Sequence, residues 1–143
     1  MKSERYYLDS NILCFIAEDE NMSKLTTEVK DIIDNHGVLK YVPSKCVEEV
    51  IYLQQSGKIK VKGWKSAEDI VGYIEDELSY DIVYVNKSHL RKLAELPLFH
   101  DHKDQTDRII IAQSIVDRIP IISSDEKFLD YRRFKLNFVF NER

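Results

Sequence analysis

Short apolar runs alternate with longer stretches whose apolar residues recur at helical spacing. Arg5–Leu8 reads as a first strand, and an apolar helical run over residues 12–17 follows Asp9-Ser10-Asn11. After a polar gap at 18–23, Leu25, Val29, Ile32 and Ile33 repeat every three or four positions, with Gly37 as a stop. Residues 38–42 read as a second strand. Pro43-Ser44 opens a helix carrying Val47, Val50 and Ile51 that ends at Gly57, and residues 59–63 form an extended connection. Ser66-Ala67-Glu68-Asp69 is a helix start before Ile70, Val71, Ile74 and Leu78. Residues 82–85 give a third strand, and 87–96 a helix with Leu90, Leu93 and Ala94 inside. An Ile-rich helix follows Asp104. Then come a strand at 120–123, a short helix from Glu126 and a last strand at 135–140.

Strands that alternate with helices predict an α/β fold with a mainly parallel sheet covered by helices on both faces. Ligands in such folds bind beyond the carboxyl ends of the strands. The 143 residues are expected to form one domain, 1–143, with a real core. With 43% apolar residues, four glycines and three prolines, the chain reads as globular rather than disordered. No apolar run approaches the ~18 residues that cross a bilayer, and the N-terminal MKSERYYLDSN lacks a signal-peptide layout. The expectation is a cytoplasmic protein without a membrane partner. Cys14 and Cys46 sit in apolar surroundings and read as buried thiols rather than a bridge. The net charge of −4 argues against a broadly basic nucleic-acid binder, although acids concentrated in one pocket bias that sum.

The placement of the acids changes the picture. Asp9 ends the first strand, and Asp125 follows the strand at 120–123 within two residues. Glu49 lies about two turns into the helix after the second strand, and Asp107 lies in the first turn of the Ile-rich helix. Four carboxylates from four segments are thus expected at one sheet edge. Two carboxylates ~4 Å apart repel by ~4 kcal/mol at an effective dielectric of ~20, so one takes a proton or divalent cations bind. Oxygen donors without a Cys or His cluster favour Mg²⁺ or Mn²⁺ over Zn²⁺. Two such ions ~3.5–4 Å apart clamp both oxygens of a phosphodiester displacement.

Each acid also has a plain structural role open to it. Asp104 is a natural N-cap, with Asp107 three residues on as a capping-box-like partner. Ser123 and Glu126 make a similar pair, leaving Asp125 as a first-turn acid, and Asp9 can cap the helix after it. Of adjacent Glu48 and Glu49, the spacing to Tyr52 and Leu53 favours Glu49 for the inside. His100 and His102 read as solvated loop residues. Lys58, Lys60, Lys62 and Lys65 read as a solvated face that can also touch phosphate.

Four stretches in order resemble the PIN-domain family, and within it the VapC-like toxins of toxin–antitoxin pairs. Leu8-Asp9-Ser10-Asn11 is similar to the family's opening D-[TS]-N. PSKCVEEVIYLQQSGKI is similar to its segment with a Glu about eight residues before Gly-Lys, a register that selects Glu49. LAELPLFHDHKDQTDRIIIAQSI is similar to L-P-x-x-H-x-D-P-F-D-R-x-x-I-A-Q-A, and PIISSDEKFLDY to a closing [TS]-x-D-x-x-F. Gln105-Thr106 in place of Pro-Phe, and Ser10 in place of the commoner Thr, are departures that remove no carboxylate.

The resemblance implies a three-layer α/β/α fold and a metal-dependent endoribonuclease using Mg²⁺ or Mn²⁺. It carries over Asp9, Glu49, Asp107 and Asp125 as catalytic metal ligands, and Asn11, Ser123, Asp104 and Arg108 as supporting residues. No separate general base stands out. The implied partners are an RNA substrate, an antitoxin chain and a second copy in a homodimer. The segments 25–33 and 47–53 are candidates for the antitoxin's groove. Three rivals stay open. A PIN-type nuclease of RNA maturation or decay would have no antitoxin, and a non-catalytic nucleic-acid binding module would bind in the presence of chelator. A receiver-like domain expects a second acid after the first strand, which Asp9-Ser10-Asn11 lacks.

Overall fold

The first strand, β1 (Arg5–Leu8), buries Tyr6, Tyr7 and Leu8 on both of its faces, as a central strand of a covered parallel sheet must. In the structure, a computed structural model that describes residues 4–99 and 104–143, five parallel strands stand in the order β3-β2-β1-β4-β5. The others are β2 (Leu39–Pro43), β3 (Asp81–Val83), β4 (Ile121–Ser123) and β5 (Phe138–Phe140). Register aligns Asp81, Tyr41, Tyr7, Ile121 and Phe138 in one row across the sheet. The chain winds outward from β1 through β2 to β3, then returns to the other flank of β1 for β4 and β5. This reversal places a topological switch point beside β1, where the connections leave in opposite directions and open a crevice at the carboxyl edge.

The helices α1 (Ser10–Glu18), α2 (Thr27–Asp34), α3 (Ser44–Gln55), α4 (Asp69–Gly72), α5 (Lys87–Glu95) and α6 (Gln105–Asp117) flank the sheet. Each of α1, α2, α5 and α6 starts on a side-chain cap, from Asp9, Thr26, Asn86 and Asp104. Helix α6 is buried almost all round from Arg108 to Ser114 and packs against α5 and α3, which explains its unbroken Ile run. No helix among the described residues is long and apolar enough to cross a membrane.

The α/β class and the parallel sheet agree with the expectation, while several boundaries move. The helix expected over 66–78 is one α-turn at Asp69–Gly72 that widens into a π-helical turn, Tyr73–Glu77. The last strand begins at Phe138 rather than Lys135, because a 3₁₀ helix runs Glu126–Phe134 and Lys135 ends it in the left-handed region at φ 73°. On α5 the inward residue is His89, fully buried, whereas Leu90 is 55% exposed and Ala94 is also outside. His89 is buried at little cost because both ring nitrogens are engaged. Nδ1 accepts from the Asn86 N–H at 3.0 Å, and Nε2 lies 2.9 Å from Asp117 Oδ1. Tyr7 donates to the other oxygen of Asp117 at 2.6 Å, tying β1, α5 and α6 together. Both cysteines are buried free thiols. The readings of His100 and His102 lie outside the described residues.

Candidate active site

Asp9 takes its position from the sheet. Its N–H donates to the Ile122 carbonyl at 3.0 Å, continuing the β1–β4 ladder past the end of β1 and setting it beside Ser123. Its side chain then turns to cap α1, with Oδ1 accepting from the Ser10 N–H at 2.8 Å. Oδ2 accepts from the Ser123 hydroxyl at 2.6 Å and from Asn11 Nδ2 at 3.2 Å, and Cys46 Sγ lies 3.5 Å from Oδ1. The carboxylate is 3% exposed. Burial pushes its pKa up to about 6, and the negative charge of Glu49 adds to the rise, against the hydrogen bonds from Ser123 and Ser10.

Ser123 joins two of the acids. While donating to Asp9, its Oγ accepts from the Asp125 N–H at 3.0 Å and from Asn11 Nδ2 at 3.2 Å. Asn11 Oδ1 accepts in turn from the Ser124 N–H at 3.1 Å. The capping box read from Ser123 and Glu126 is therefore absent. Asp125 is the cap of the 3₁₀ helix, accepting from the Lys127 N–H at 3.0 Å, and Ser123 faces inward.

Glu49 reaches the same place from α3, where the Ser10 hydroxyl donates to its Oε1. Its neighbour Glu48 is exposed and pairs with Lys45 at 3.4 Å, so the choice of Glu49 agrees with the packing. Asp104 caps α6 by accepting from the Asp107 N–H at 3.1 Å, which holds Asp107 in the first turn. Burial pushes the Asp107 pKa up to about 8, and the charges that add to it are all carboxylates: Asp9, Asp104, Asp125 and Glu49.

Asp9, Glu49, Asp104, Asp107 and Asp125 line one open cavity of about 360 Å³, together with Asn11. Ser10, Cys14, Phe15, Glu18 and Arg143 also line it, and none of these was named as a site residue from the sequence. Ser10 carried a signal, because it fell inside the D-[TS]-N match. Phe15 and Arg143 meet the acids only through the fold. Arg108 lies elsewhere, buried at 6% exposure, with Nη2 donating to the Leu96 carbonyl at 2.9 Å and Nη1 to Gln105 Oε1 at 3.3 Å. It anchors the start of α6 rather than lining the cavity.

Among the described residues, no three acidic, histidine or cysteine side chains are drawn close enough to enclose a cation as they stand. The donor chemistry nevertheless fits a hard divalent ion. The lining acids offer oxygen only, and burial, with mutual repulsion added to it, raises Asp9 and Asp107, so a cation would relieve a penalty already present.

The profile of the PIN domain family matches residues 6–133. No curated protein matches the chain in sequence. Several solved structures match in fold. VapBC2 from Rickettsia felis, bound to a DNA fragment from its promoter, has a TM-score of 0.65 at 16% identity, covering 96% of this chain and 99% of that one. VapBC-1 from nontypeable Haemophilus influenzae gives 0.63 at 16% identity, covering 95% and 97%. A toxin–antitoxin complex from Klebsiella pneumoniae gives 0.59 at 16% identity, covering 96% and 98%.

Proposed function

Since the chain belongs to the PIN-domain family, we propose that it is a metal-dependent endoribonuclease and the toxin of a toxin–antitoxin pair. The observation that carries this reading is the convergence of four carboxylates, from β1, α3, α6 and the end of β4, on one cavity at the switch point. The likeness in fold to VapBC and toxin–antitoxin complexes supports an antitoxin as partner. The rest of the reading is a single domain, 1–143, acting in the cytoplasm as a homodimer.

Asp9, Glu49, Asp107 and Asp125 would hold Mg²⁺ or Mn²⁺, which when bound supplies Lewis acidity at a phosphodiester and lowers the pKa of a water. The chain's own residues fix the donors. Ser123 and Asn11 hold Oδ2 of Asp9, and the Ser10 N–H holds Oδ1. The Ser10 hydroxyl orients Glu49. Asp104 and the buried body of α6 hold the turn that bears Asp107. Donors set on strand ends and capped helix starts keep their geometry better than donors on free loops.

The test is cleavage of a mixed, structured RNA pool by purified protein with Mn²⁺, with chelator, and with Asp9→Asn. Cleavage that requires both metal and Asp9 is expected. RNA binding that persists in chelator, without cleavage under any condition and without Mn²⁺ binding by calorimetry, would replace the nuclease with a binding module. Co-purification with the product of a neighbouring gene, and loss of cleavage in that complex, is expected of a toxin.

A further inference from the structure

The acidic cavity repels the polyanion it is proposed to cut, so the substrate needs cations at its rim. Two stand at one aromatic ring. Arg143 lines the cavity with the acids, and its guanidinium carbon lies 4.8 Å from the centre of the Phe15 ring. Lys24 Nζ lies 5.4 Å from the same centre. Phe15 itself lines the cavity, one helical turn beyond Asn11 on α1. Neither cation forms an ion pair with a carboxylate of the described residues.

A buried side chain ties down the backbone that bears both cations. Asn141 is fully buried, and its N–H donates to the Ser123 carbonyl at 2.8 Å, continuing the β4–β5 ladder. Its Nδ2 donates to the Lys24 carbonyl at 2.9 Å and to Ser124 Oγ at 2.7 Å, and its Oδ1 accepts from the Thr26 N–H at 2.7 Å. One amide thus fastens the backbone of Lys24, and the segment leading to Arg143, to the strand end that carries Ser123 and Asp125.

Resting on the nuclease reading, we propose that Lys24 and Arg143 form a phosphate clamp at the rim of the acidic cavity. They hold backbone phosphates of single-stranded RNA next to the scissile one, with Asn141 as the positioning residue. The Phe15 ring fixes the two cations by cation–π attraction without neutralising them, which a carboxylate partner would do. Contacts of this kind set where the strand lies and carry no base preference.

The test measures binding of a fluorescent single-stranded RNA to the Asp9→Asn protein, across a salt series, with and without Lys24→Met plus Arg143→Met. Each phosphate contact to a single strand contributes about 0.7 to the slope of log K against log salt. Losing two should flatten the slope by about 1.4 and weaken binding about 25-fold at 0.1 M salt. In the cleaving protein the same pair should raise KM and leave kcat nearly unchanged, with Mn²⁺ binding and Tm retained. Lys135→Gln, an equal kind of charge loss at the opposite edge of the sheet, should leave the slope close to that of the parent. An unchanged slope and KM in the double variant, with the parent still cutting RNA, would overturn the clamp alone. A parent chain that neither binds nor cuts RNA would overturn the nuclease reading beneath it.

Discussion

Replacing Asp9 with Asn should change stability with opposite sign at the two ends of the pH range. The carboxyl group has an ordinary pKa of 3.8 and reaches about 6 in the fold, mainly through burial. A group raised on folding contributes stability that is fully present below its unfolded pKa and is lost as pH rises through the folded one. Asp9 therefore costs the metal-free protein nothing well below pH 3.8, the cost grows between the two values, and it is complete above about pH 6. At roughly 1.4 kcal/mol for each tenfold change in proton affinity, it amounts to ~3 kcal/mol. Asparagine never pays it, but its amide group faces the Ser123 hydroxyl and Asn11 Nδ2, which now donate to Oδ2. That mismatch costs ~1–3 kcal/mol at every pH.

Thermal unfolding in chelator is the assay. At pH 4.5 the variant should melt lower than the parent. At pH 7.5 it should melt equal or higher, by up to about 6 °C for a net ~2 kcal/mol at this chain length. The crossing should fall near pH 5, where the growing cost of the carboxylate equals a mismatch of ~1–2 kcal/mol. Added Mn²⁺ should then raise the parent by ~2.7 kcal/mol at a hundredfold excess over Kd and the variant by less. A variant that melts lower than the parent by a constant amount from pH 4.5 to 7.5 would refute the reasoning. It would make Asp9 a helix cap whose hydrogen bonds outweigh its charge.

Glu49→Gln should lower RNA cleavage at least a hundredfold. Glu48→Gln, which loses only an exposed pair with Lys45, should leave cleavage unchanged and move stability by no more than ~0.5 kcal/mol in denaturant melts. Ser123→Ala removes a buried donor to Asp9 and the acceptor for the Asp125 N–H. It should cost ~1–3 kcal/mol and reduce cleavage and Mn²⁺ affinity together, where a merely structural role would spare the affinity. Tyr7→Phe breaks the bond to Asp117, at the end of α6 away from the turn that bears Asp107, and the contact from Gln113. It should cost ~1–3 kcal/mol of stability, with cleavage per folded molecule, from active-site titration, held at the parent level.

The architecture was legible because its strands are short, apolar and separated by helical patterns, so their parallel direction followed from alternation, whereas their order in the sheet did not. The boundaries that moved were set by backbone conformations the pattern does not encode. Lys135 carries no mark of its left-handed φ, so the residues after it read as strand although the 3₁₀ helix had just closed there. His89 shows a different limit. An apolar template put Leu90 inside, yet histidine packs there because Asn86 and Asp117 satisfy both nitrogens. Asn86 lies three residues before it as the cap of the same helix, while Asp117 comes from a helix 28 residues on.

The acids divide in the same way. Asp9 and Asp125 were readable from their distance to a strand end, which the fold class converts directly into the carboxyl edge. Glu49 depended on a helix register, and the packing of α3 leaves Glu48 in solvent while Glu49 meets the Ser10 hydroxyl. Asp107 had two plausible lives, and the structure gives it both. Its N–H serves the Asp104 cap, while its side chain lines the acidic cavity. The two are compatible because a first-turn acid lies where the helix dipole favours negative charge, which offsets part of the repulsion from Asp9 and Asp125. Arg108, next in sequence, turns the other way and fastens to the Leu96 carbonyl at the end of α5. Adjacent residues on that turn thus divide the work: one faces the cavity while the other fixes the helix that carries it. A substitution at Arg108 would accordingly be expected to loosen Asp107 without touching the acids, lowering stability and Mn²⁺ affinity in step.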